Sequence, residues 1–178
     1  MEFFETRCKI KDIRGAKNIA EKIGGIFKGY YSNTDIIFKT EKADSEKGVI
    51  VLRIFKINNR QTKNFILTHK IAEWMDTIKT DRIILKEKFD TMEDALSFMK
   101  DHYGDGIKED YKYSREGWEY HLDKNRIFIE NIEKLGSTIE IEADNKIDLE
   151  NLLKSFETIE CFSESTSEII KKLQNIDM

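Results

Sequence analysis

The sequence predicts an α+β fold, an eight-stranded antiparallel β-barrel with helices packed on its outside. Three observations lead there. A strand–helix–three-strand order runs from Phe3 to Lys70 and begins again near Asp81. Several strands alternate an apolar with a charged face, the period-2 signature of a sheet with two unlike sides. Tight turns join the strands, whereas parallel crossovers need a dozen residues or more.

The elements follow in order. Phe4, Thr6, Cys8 and Ile10 fall on one face of a first strand, and Glu5, Arg7 and Lys9 on the other. Ala16, Ile19, Ala20 and Ile23 recur at helical spacing, with Gly24-Gly25 as a C-terminal stop. Strands are expected near 33–39, 49–57 and 63–70, the last two joined by an exposed hairpin over Asn58–Lys63. Asp76–Asp81 reads as a polar connector that could cover one mouth of the barrel. The second round has a strand near 81–89 and a helix from Thr91, where Thr91-x-x-Asp94 resembles a capping box. Ala95, Leu96 and Met99 give that helix its apolar face, and Gly104 ends it. Strands near 107–121, 125–131 and 137–143 complete the set, and helices near 147–158 and 165–175 close the chain. Ile169, Ile170 and Leu173 would seat the last helix on the barrel wall.

Composition narrows the function. The chain has 178 residues, which suits one domain over 1–178, with a core large enough to need no staples. It carries 30 Lys+Arg and 34 Asp+Glu, a net charge of −4. That balance argues against nucleic-acid binding, which needs a basic footprint. The longest apolar run is Val49–Leu52, far below a membrane span, and the N-terminus has no signal-peptide pattern. Cys8 and Cys161 are isolated, without metal-ligand spacing, and read as inert reduced thiols in a cytoplasmic protein. His69, His102 and His121 form no motif, and His69 is out of phase with Lys70, so it should point away from the lumen. Trp74 and Trp118 read as packing residues. With no proline in the chain, turns fall to Gly, Asn and Asp. A homodimer is left open.

Charges make up 36% of the chain, and the strands show where they sit. Leu52, Ile54, Ile83, Leu85, Ile139 and Ile141 lie on one side; Arg53, Arg82, Lys86, Lys88, Glu140 and Glu142 lie opposite. Two readings stand: a charged sheet face in water, or charges lining a barrel lumen that holds a small polyanion and its metal. A triphosphate suits several Arg and Lys, and chemistry at phosphorus calls for a hard divalent cation on a few carboxylates. Glu140-x-Glu142 would put two carboxylates on one strand face about 7 Å apart.

The segment Ile127–Glu142, with Glu130, the Leu135-Gly136 turn and the closing Glu140-x-Glu142, resembles the late signature of the CYTH, or triphosphate tunnel metalloenzyme, family. Thr34–Phe38, Leu52-Arg53, Leu67-Thr68-x-Lys70 and Arg115-x-x-Trp118 follow in the family's order, so the resemblance spans most of the chain. It implies a tunnel barrel, Mg²⁺ or Mn²⁺, and a small polyanionic substrate such as ATP, tripolyphosphate or thiamine triphosphate. Arg53, Lys70, Arg82 and Arg115, with Lys86, Lys88 and Lys112, would hold phosphates, and Glu5, Glu130, Glu140 and Glu142 would hold metal. The implied activity is metal-dependent cyclisation or hydrolysis of a triphosphate, the alternative a catalytically degenerate nucleotide- or polyphosphate-binding module.

The family's opening E-x-E-x-K departs here. It aligns with Phe3–Arg7 or Glu5–Lys9, so the lysine position, the candidate catalytic residue, falls on Arg7 or Lys9 and one carboxylate is missing. An arginine there stays protonated and cannot act as a base. Leu52-Arg53-Ile54-Phe55 lacks a second arginine, and Lys112 stands out of phase with Arg115 unless a bulge returns it. The inner face therefore reads as basic and metal-poor, with crowded cations.

Overall fold

A computed structural model describes residues 3–40, 48–57 and 63–176. In chain order the elements are β1 (Phe4–Ile10), α1 (Ile13–Lys22), β2 (Ile26–Lys39), β3 (Val49–Ile57), β4 (Lys63–Met75), β5 (Ile78–Phe89), α2 (Met92–Tyr103), β6 (Lys108–Leu122), β7 (Asn125–Ile132), β8 (Gly136–Ala143), α3 (Lys146–Leu153), β9 (Thr158–Cys161) and α4 (Thr166–Ile176). The strands bond in the order β5-β4-β3-β2-β6-β7-β8-β1-β9, and β5 returns to pair with β1. Eight antiparallel strands thus close into the expected barrel, with helices outside and β9 as an extra strand.

The chain forms two compact units: Met1–Tyr31, Glu73–Thr80 and Arg115–Met178, and Ser32–Ala72 with Asp81–Ser114. In the first, the apolar phases of β1, β7 and β8 (Cys8, Ile10, Ile127, Ile129, Ile139, Ile141) pack under Ala16 and Ala20 of α1 and Leu149 of α3. Asp12 caps α1 through Arg14 and Gly15 N–H, worth about 1 kcal/mol for such a cap, and Gly24 at φ 96 turns the chain out. In the second, Ile36, Phe38, Ile50, Leu52, Phe65 and Leu67 pack under Ala95, Met99 and Tyr103 of α2. Thr91 accepts from Asp94 N–H, as the capping box requires. His69 lies on this apolar side, buried, with Nδ1 3.1 Å from the Tyr103 hydroxyl. Because each core takes one strand phase, the charged phase is left facing the other way.

Several expectations are corrected. Cys8 and Cys161 are not reduced thiols: they stand opposite each other in the β1–β9 pair and form a disulfide. That removes the redox argument for a cytoplasmic location. No helix among the described residues is long and apolar enough to cross a membrane. The helix expected over 147–158 ends at Leu153, and β9 follows it. Thr158, Ile159 and Glu160 of β9 are exposed, so no alternation marks the strand. The polar connector expected over Asp76–Asp81 is shorter, because β4 runs to Met75 and β5 starts at Ile78, around a turn with Asp76 at φ 57. β2 begins at Ile26 instead of near 33; Ile26 and Phe27 are exposed, which hid it. The expected Asn58–Lys63 hairpin lies largely outside the described residues, with only Lys63 at the start of β4.

Candidate functional site

Strand register builds the site in the first unit. β1 and β8 pair so that Glu5 faces Glu142 and Arg7 faces Glu140. β8 and β7 pair so that Glu142 faces Arg126 and Thr138 faces Glu130. β5 closes on β1 with Lys79 opposite Glu5. Acids and bases on the charged phase of four strands therefore meet as cross-strand neighbours.

Glu5, Glu140 and Glu142 each offer a carboxylate oxygen within 4.8 Å of the others, the one group of potential metal ligands found among the described residues. Burial raises the Glu140 pKa, as does Glu5, against the pull of Arg7 and Lys79. Glu142 is pushed up to about 8, first by burial and then by Glu140, with Arg126 opposing. Three hard oxygen donors, two of which resist being charged, fit a hard divalent cation such as Mg²⁺ or Mn²⁺.

Each carboxylate also touches a base. Lys79 Nζ lies 2.6 Å from Glu5, Arg126 pairs with Glu142, and Arg7 pairs with Glu140. Arg7, 5% exposed, reaches Glu130 with its other arm and donates to Thr138 Oγ1 at 3.1 Å. Desolvation works against its charge, but Glu130 and Glu140 outweigh that and hold it firmly protonated. Glu130 is 1% exposed and stands apart from the trio. It accepts from Arg7, from Arg115 Nη1 at 3.1 Å and from the Tyr31 hydroxyl at 2.6 Å. Burial and the Glu130 charge raise the Tyr31 pKa, so that hydroxyl remains a donor. Gly117 makes the Tyr31 contact possible: a Cβ there would sit 2.7 Å from the Tyr31 hydroxyl and 2.9 Å from Glu130 Cγ. Phe3, which stands at a family glutamate in one alignment, packs its ring 5.3 Å from the Arg126 guanidinium. Lys9 is exposed, across β9 from Glu160.

In the second unit, Arg53 donates twice to buried Asp35, at 2.7 and 2.8 Å, and the Tyr113 hydroxyl donates to the same carboxylate at 3.2 Å. Lys70 pairs with Asp81. Arg82, Lys86, Lys88 and Lys112 are exposed. Crowded, mutually repelling cations are thus not what the structure contains: Arg7, Arg53, Lys70, Lys79, Arg115 and Arg126 each meet a carboxylate. Lys79, Arg126, Tyr31, Asp35 and Gly117 were not singled out in the sequence as site residues. Lys79 is signalled only once β5 is known to start at Ile78, and Arg126 by its place opposite Glu142 across the β7–β8 turn.

No family model matches the sequence, and no curated protein does. Solved structures share its fold. A protein of Pyrococcus horikoshii superposes with a TM-score of 0.76 at 18% identity, covering 96% of this chain and 98% of that one. A candidate adenylyl cyclase of Hippeastrum, described with a dominant triphosphatase activity, gives 0.71 at 13% identity over 97% and 96%. A candidate adenylate cyclase of Vibrio parahaemolyticus gives 0.69 at 16% identity over 95% and 98%. The chain therefore shares its fold with these proteins.

Proposed function

We propose that this chain, with its triphosphate-tunnel fold, binds a divalent cation at Glu5, Glu140 and Glu142 and hydrolyses or cyclises a triphosphate-bearing substrate there. The carboxylate trio carries the reading: Glu5, Glu140 and Glu142, from two strands, bring oxygens within 4.8 Å of one another, and burial raises the pKa of Glu140 and Glu142, a clustering that favours a cation added to the bases already beside them. A bound Mg²⁺ or Mn²⁺ would neutralise charge developing on a phosphoryl group.

The chain's own groups have separable tasks. Among the three arginines paired with the site's carboxylates, Arg126 is the most open to an incoming phosphate, with 38% of its side chain exposed against 6% for Arg7 and 7% for Arg115, and its planar fork suits a phosphate edge. Arg7 cannot take a proton from water. It acts as a positioning residue, fixing Glu140 toward the trio and Glu130 behind it. Arg115 and Tyr31 hold the far side of Glu130. In the second unit, Arg53 and Lys70 already hold Asp35 and Asp81, so a phosphate there would compete with a carboxylate for each.

A phosphate-release and cyclic-nucleotide panel tests this, over ATP, GTP, tripolyphosphate and thiamine triphosphate with Mg²⁺ or Mn²⁺. The expected result is cation-dependent turnover of at least one substrate, abolished in Glu142→Gln. A second reading, a binding module without turnover, is favoured by one observation: Arg7 is locked between two carboxylates where the family motif has lysine. Tripolyphosphate raising the melting temperature with no turnover across the panel would select it.

A further inference from the structure

We propose that the Cys8–Cys161 disulfide is a redox latch on the seam where the barrel closes, and that opening it weakens the carboxylate trio; this rests on the cation site proposed above. The edge of β1 away from β8 is shared by two strands. β5 occupies it only at Phe4↔Thr80 and Glu5↔Lys79. From Cys8 onward β9 takes over, with Cys8↔Cys161, Lys9↔Glu160 and Ile10↔Thr158, and Phe162 N–H donates to the Arg7 carbonyl at 2.9 Å. The recorded β1–β5 closure is two residue pairs long, and one of those residues is Glu5, a member of the trio.

β9 is poorly equipped to hold its place unaided. It has four residues, three of them exposed, and its register shifts between Lys9 and Ile10. The disulfide fixes it, joining positions 153 residues apart in sequence. Cys8 is fully buried, whereas Cys161 is half-buried at the sheet edge. A dithiol reductant therefore meets Cys161 first. Its thiolate attacks the Cys161 sulfur and releases Cys8 as a thiolate, which takes up a proton. The reductant's second thiol then closes on the first sulfur and expels Cys161 as a thiol. Two electrons and two protons pass to the protein, and the dithiol becomes a disulfide.

The consequence runs along β1. Once β9 is free to leave, the Arg7 main chain loses its Phe162 partner. Arg7 is the residue that orients Glu140 and Glu130, and Glu5 lies two positions before it. The carboxylates would then lose their fixed spacing, and with it cation affinity.

Three forms are compared: oxidised protein, protein reduced with a phosphine and freed of it anaerobically, and Cys161→Ser. Mn²⁺ affinity is measured by calorimetry, and amide hydrogen exchange is followed over residues 4–10 and 78–80. The reduced form and Cys161→Ser should bind Mn²⁺ about fivefold or more weakly, the low end of ordinary site-to-site coupling, and exchange faster over both segments. The variant should be indifferent to reductant. Equal affinity and equal exchange in all forms would overturn the latch, as would two titratable thiols in untreated protein. If no form binds Mn²⁺, the cation site falls, and exchange alone judges the seam: unchanged protection on reduction overturns the latch, faster exchange retains it.

Discussion

Replacing Arg7 with methionine keeps the length of its stem and removes its charge, leaving two acids without the cation between them. Glu130 would keep Arg115 and Tyr31, while Glu140 would lose the direct partner that lies opposite it on β1. Removing one member of a buried ion pair costs about 3–5 kcal/mol, mostly the penalty of the orphaned charge. In a chain of this length 1 kcal/mol shifts the melting temperature by roughly 2–4 °C, so Arg7→Met should melt roughly 6–20 °C below wild type at pH 8. Scanning calorimetry in EDTA from pH 5 to 9 reads both size and cause. A desolvated carboxylate without its cation has its folded pKa raised above its unfolded one, and so takes up a proton. The variant should therefore recover toward acid pH and lose stability as pH rises. Adding Glu140→Gln should restore part of the loss, because it removes the orphaned charge and coupled sites do not add. A loss under about 1 kcal/mol, or one independent of pH, would refute the claim that Arg7 neutralises two buried acids.

Three further outcomes are expected. Glu142, with its pKa pushed up to about 8 from the ordinary 4.5, adds stability that is complete below pH 4.5 and is lost as pH climbs from there through about 8; metal-free wild type should soften over that window, and Glu142→Gln should flatten the profile in thermal melts. Gly117→Ala drives a methyl into Tyr31 and Glu130 and should cost about 1–3 kcal/mol by overpacking, measured by urea denaturation, with Gly29→Ala, where a Cβ would meet nothing within 4 Å, as the control without a clash. Arg53→Ala should destabilise the apo protein by about 1–3 kcal/mol, because buried Asp35 loses two donors; a rise in melting temperature would restore the crowded-cation view.

What the sequence made legible was phase. The alternation in β1 and β8 places Glu5, Arg7, Glu140 and Glu142 on one face, and that face is where they meet. Thr91 and Gly24 mark helix ends by cap chemistry that acts locally. Neighbours were not legible, because they depend on register across strands distant in sequence: Arg7 meets Glu130 across 123 positions. This is why a face counted as basic is a set of ion pairs. β9 escaped because a short exposed strand leaves no burial pattern, and its cysteine escaped with it. Lys79 escaped because the turn before it uses Asp76 in a left-handed conformation where glycine would have signalled a hairpin.

The central claim is that Glu5, Glu140 and Glu142 form one divalent-cation site serving a triphosphate. Calorimetric titration of oxidised protein with Mn²⁺ in the presence of tripolyphosphate tests it most directly, set beside Glu5→Gln and Glu140→Gln at the same pH. Saturable binding by the wild type, weakened at least tenfold (about 1.4 kcal/mol) in each variant, is the result this account predicts. Wild-type binding undiminished in both variants, or no Mn²⁺ binding at millimolar concentration, would contradict it.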